Sequence, residues 1–61
     1  MFTVTRGSIY ESTGAMSFEN AVWQAERWRD YYPDEEIIIY DENVEPVKAW
    51  RNGEEVLYDV N

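Results

Sequence analysis

An α+β fold follows from three observations on this chain: a small antiparallel sheet of about five strands, with one helix packed on one face, in the order ββαβββ. Apolar residues recur at three- and four-residue steps from Phe18 to Tyr32. Short alternating or β-branched runs flank that segment on both sides. Two of those runs are separated only by Asn52-Gly53, the dipeptide that favours a two-residue type I′ hairpin turn.

Taken in order, Phe2 and Val4 alternate with Thr3 and Thr5, which predicts a short strand ending at Arg6-Gly7. Ser8 to Ser12 can return as a second strand before Thr13-Gly14 breaks the pattern. Ser17 is placed to cap a helix, and Glu19 falls in its first turn, where the helix dipole favours an acid. Phe18, Ala21, Val22, Ala25, Trp28 and Tyr32 then form one apolar stripe. Pro33 stops the helix, because the residue before a proline is driven out of the α region. At about 100° per residue Trp23 falls off the stripe, beside Glu19, Glu26, Arg27 and Asp30, so it should face solvent. Trp28 belongs to the core.

Ile37, Ile38, Ile39 and Tyr40 make a β-branched strand, followed by a loop from Asp41 to Pro46. The Asn52-Gly53 turn joins Val47–Arg51 to Glu54–Val60 and fixes their register. Arg51 should lie opposite Glu54, Trp50 opposite Glu55, Ala49 opposite Val56, Lys48 opposite Leu57 and Val47 opposite Tyr58. Val47, Ala49, Val56 and Tyr58 are then expected beneath the helix. Lys48, Trp50, Glu55, Leu57 and Asp59 occupy the other face, left partly open with Ile38 and Tyr40.

Sixty-one residues make a single domain, residues 1–61, and a chain of this size has a marginal core. There is no Cys, which excludes disulfides and thiolate metal sites. Three Trp, five Tyr and two Phe supply the apolar area instead. No apolar run approaches the roughly 18 residues of a membrane span. The first residues lack the layout of a signal peptide, so a cytoplasmic protein is expected.

The chemistry points away from catalysis. With neither His nor Cys, only Lys48 and the carboxylates could activate a nucleophile, and no motif sets a Ser or Thr beside them. Asp41, Asn43 and Glu45 have the spacing that opens a calcium loop, but Pro46 stands where that loop needs Gly and Asn52 where it needs Glu. No enzyme, metal or cofactor is expected.

Charge is the strongest functional clue. The chain carries a formal net charge of −8, and residues 1–29 balance, so all of it resides in residues 30–61. Seven acids (Asp30, Asp34, Glu35, Glu36, Asp41, Glu42 and Glu45) precede Val47 without an intervening base, and Glu54, Glu55 and Asp59 follow. Such a field repels nucleic acid and anionic membranes and attracts basic protein surfaces. If these carboxylates gather into one patch, they can imitate the charge density of a nucleic acid backbone, with Trp23 and Trp50 as candidate anchoring aromatics. A homodimer through Trp50, Leu57, Ile38 and Tyr40 is compatible with that reading, and a generic acidic interaction domain is the alternative.

A very short, Cys-free, strongly acidic chain with one helix against an antiparallel sheet resembles the small phage-encoded inhibitors of bacterial defence, especially anti-CRISPR proteins. The resemblance lies in size, charge and layout, carried by the acids of Asp30–Glu45 with Glu54, Glu55 and Asp59. It implies an inhibitor that occupies the basic DNA-binding surface of an effector in the bacterial cytoplasm.

Overall fold

Ser17 begins the helix. Its hydroxyl accepts a hydrogen bond from the Asn20 amide at 3.2 Å, and α1 (Phe18–Tyr31) runs from there to the residue pair before Pro33. Glu19 occupies the first turn and Arg29 the last, each complementing the helix dipole. The computed structural model describes residues 1–7, 11, 12 and 14–56. The chain is α+β, with α1 laid across an antiparallel sheet made of β1 (Thr3–Arg6), β2 (Glu11–Ser12), β3 (Ile37–Tyr40), β4 (Pro46–Arg51) and β5 (Glu54–Val56). Their lateral order is β2-β1-β3-β4-β5, in which β2 is a two-residue rung at one edge. Met16 ties the helix entry to Phe2 through two backbone hydrogen bonds of 2.7 and 2.8 Å, and the Phe2 and Phe18 rings meet edge to face at 5.1 Å.

The hairpin register is the expected one, with Ala49 opposite Val56, Trp50 opposite Glu55 and Arg51 opposite Glu54. Asn52 (φ 54°) and Gly53 (φ 79°) both take positive φ, as a type I′ turn requires. Gly7 is required too: it sits at φ 56°, and a Cβ there would fall 2.9 Å from Glu35 Oε1.

The faces of the sheet are inverted relative to expectation. Ile37 pairs with Trp50 and Ile39 with Lys48, and directly paired residues share a face. Trp50, 3 % exposed, therefore joins Val4, Ile37, Ile39, Ala21 and Ala25 in the core under the helix. Ile38, Ala49 and Val56 line up on the opposite face. Counting apolar residues along the hairpin predicts Val47, Ala49, Val56 and Tyr58 beneath the helix. The isoleucines of β3 decide otherwise, because they carry a single indole inward, and one indole buries more area than alanine can. Val47 is the extra residue where the register shifts between Ile39 and Tyr40, and it is exposed.

Two expectations fall with that inversion. Trp50 is a core residue rather than an anchor for a partner. The proposed dimer face is also not assembled, since Trp50 lies on the side of the sheet opposite Ile38 and Tyr40. Tyr58, Asp59, Leu57 and most of the strand expected at Ser8–Ser12 lie outside the described residues. No helix among the described residues is long and apolar enough to cross a membrane.

Candidate functional site: an aromatic helix face between two acidic ends

The acidic run Asp30–Glu45 does not form one patch. β3 divides it, placing Asp34, Glu35 and Glu36 at one end of the strand and Asp41, Glu42 and Glu45 at the other. From residue 36 to residue 41 is five strand steps, about 17 Å at ~3.4 Å each, in a body measuring 27 × 26 × 20 Å. The expectation of a single coherent surface is corrected accordingly.

Many of these carboxylates are also engaged within the molecule. Arg6 Nη1 lies 2.6 Å from Glu35 Oε2, and Arg51 donates from Nε and Nη2 to Glu36 Oε2 at 3.1 and 2.8 Å. Lys48 Nζ lies 3.4 Å from Glu55, and Arg29 Nε lies 3.2 Å from Asp30. Among the described residues, four of the five Lys and Arg side chains thus pair with an acid from the second half of the chain. Asp34, Glu42, Glu45 and Glu54 are exposed. Asp41 turns inward on its own loop, where its Oδ1 accepts from the amides of Asn43 (2.8 Å) and Glu45 (3.0 Å). That loop holds Val44 at φ 60°, a costly conformation for a β-branched residue, and leaves its side chain exposed. Among the described residues no group of three acidic side chains converges as a metal site would.

The outer surface of α1 carries a different feature. Trp23, Arg27 and Tyr31 recur every four residues, so they stack along one face. The Arg27 guanidinium carbon lies 4.8 Å from the Trp23 ring centre and 5.9 Å from that of Tyr31. Trp23 is 56 % exposed and Tyr31 67 %, which is high for residues of their size. Asp30 completes this patch, and a shallow groove runs alongside it, lined by Trp23, Gln24, Arg27, Trp28, Tyr31 and Tyr32.

On the groove's far side a second arginine is treated differently. Arg6, reaching over from β1, places its guanidinium carbon 3.8 Å from the Tyr32 ring centre and 5.8 Å from that of Trp28. Glu35 closes this site, and Arg6 is only 9 % exposed. The Gly7 amide donates to the Glu36 carbonyl at 2.8 Å, which fastens the end of β1 to the same connection.

Of the residues singled out from sequence, Trp23 and Asp30 therefore come together on the helix, while Trp50 is withdrawn into the core. Glu35, Glu36 and Glu55 are held in ion pairs, Asp41 supports its own loop, and Asp59 lies outside the described residues. Tyr31 and Arg27 were missed as members of the site. The i, i+4, i+8 spacing of Trp23, Arg27 and Tyr31 was the available signal. No protein-family model, no curated protein and no solved structure matches this chain.

Proposed function

We propose that this protein is a non-enzymatic binder that occupies a basic, nucleic-acid-binding surface of a partner protein, as a phage anti-CRISPR or related anti-defence factor acting in the bacterial cytoplasm. One observation carries the reading: a chain of net charge −8 presents exposed Trp23 and Tyr31 on one face of its helix, on either side of Arg27 and beside Asp30. Large exposed aromatics are the usual anchors of protein interfaces, and a negative field steers encounter with a basic surface. The two acidic ends, Asp34–Glu36 and Asp41–Glu45, stand apart by roughly five duplex steps of ~3.4 Å. That supports occupation of a groove made for a phosphate backbone. In this reading the sheet is the five-stranded ββαβββ arrangement.

The test is displacement of labelled duplex DNA from purified CRISPR effector complexes. Displacement should weaken steeply between about 50 and 200 mM salt. It should be lost when Asp34→Lys, Glu42→Lys and Glu45→Lys are combined, a change that spares every ion pair described above. Unimpaired displacement by a correctly folded triple variant would rule out charge mimicry and leave a generic acidic interaction domain.

A further inference from the structure

We infer that Trp23 and Tyr31 form a clamp for an arginine side chain of the basic partner, and that Arg27 fills this clamp as a placeholder while the protein is free. The inference rests on the basic-partner reading above and names the chemistry at its contact point.

Three observations lead to it. First, the two rings already bind a guanidinium, since Arg27 lies within cation–π range of both at 4.8 and 5.9 Å. Second, among the described residues no carboxylate pairs with Arg27, whereas the other four cations each hold one. A cation held only by exposed rings is weakly held, at the low end of the cation–π range, and is readily exchanged. Third, the molecule contains a filled example of the same design. Trp28 and the capping residue Tyr32, four residues apart where Trp23 and Tyr31 are eight, receive the guanidinium of Arg6 from a different element, and Glu35 pairs with it. At the outer site Asp30 stands in the position of that carboxylate, lining the patch with Trp23 and Tyr31; Arg29 Nε lies 3.2 Å from its Oδ1, and the Asp30 side chain is still 72 % exposed. The outer site thus has two aromatic faces and a carboxylate, but lacks an arginine delivered from elsewhere.

Charge complementarity fixes the class of occupant. The surroundings are acidic, with Glu26 on the neighbouring helix positions and Asp30 72 % exposed at its side chain, on a protein of net charge −8. An acidic or phosphorylated ligand would be repelled. Arginine is favoured over lysine because its planar guanidinium stacks on both rings while its edge donates to Asp30.

The experiment compares Arg27→Gln with Arg51→Gln, which remove the same charge, the second from an exposed arginine on β4 that pairs with Glu36 and not with a member of the clamp. Binding of a hexa-arginine peptide is measured by calorimetry for both variants and for the unaltered chain, with hexa-lysine as the comparison ligand. The clamp predicts that Arg27→Gln binds hexa-arginine about two- to five-fold more tightly than Arg51→Gln. The gain should be smaller for hexa-lysine, and Trp23→Ala should weaken hexa-arginine binding by about tenfold. Equal affinities for the two glutamine variants would overturn the clamp while leaving the basic-partner reading intact. Weaker binding by Arg27→Gln would overturn it by making Arg27 itself the contact. Failure of every form to bind hexa-arginine at low salt would remove both readings together.

Discussion

The molecule contains two guanidinium–aromatic sites on one helix, and they differ in closure. At the inner site Arg6 comes from β1, stacks on Tyr32 and Trp28, and is sealed by Glu35 at 2.6 Å. At the outer site Arg27 comes from the helix itself and lies over Trp23 and Tyr31 in open solvent. The inner site links three parts of the fold, the first strand, the helix end and the connection into β3. The outer site links nothing. Similar side chains are therefore sealed into the fold in one place and left exposed in the other, and what separates them is whether the arginine spans two elements.

The largest effect should come from opening the inner site. Arg6→Ala removes a nearly buried charge partner, two ring contacts and the stem packing of the side chain. We expect a loss of about 2–4 kcal/mol, which is most of what a core of this size supplies. Denaturant unfolding followed by circular dichroism measures it. Glu35→Gln keeps an acceptor but not the charge, and Glu35 is partly exposed, so the expected loss is smaller, about 1–2 kcal/mol. A melting temperature lower by about 4–16 °C would register it.

The outer site should behave in the opposite way. Trp23→Ala and Tyr31→Ala are expected to change unfolding free energy by within about 0.5 kcal/mol, with Trp23→Ala weakening hexa-arginine binding by about tenfold. If either substitution destabilised the protein as much as Arg6→Ala, the contrast between the sites would collapse. A small effect is also expected at the exposed Arg51–Glu36 pair. Glu36→Gln should cost no more than about 1 kcal/mol, and less at 1 M salt, where exposed charges are screened.

The helix and the hairpin were legible in the sequence because each is set by local chemistry. Ser17 caps, Pro33 stops, and Asn52-Gly53 turns, all within a few residues of the elements they define. The burial of Trp50 was not legible, because it depends on how β4 pairs with β3. The Asp41–Pro46 loop does not set that register, and the shift at Val47 obscures it further. The acidic run read as one feature for a similar reason: adjacency in sequence implied adjacency in space, and the intervening strand carries its two parts to opposite ends. The exposure of Trp23 was legible from the helical period alone. The role of Tyr31 was hidden by its neighbour Tyr32, which looked like the natural end of the apolar stripe but is the ring that holds Arg6.

The most direct test of the account uses the indole protons of Trp23, Trp28 and Trp50 as three reporters in a proton–nitrogen correlation spectrum, recorded while hexa-arginine peptide is added. The account predicts that the Trp23 indole shifts first and furthest, together with the amides of Arg27 and Tyr31, while the Trp50 indole stays in place. Shifts centred on Asp41–Glu45, with the Trp23 signal unmoved, would contradict it.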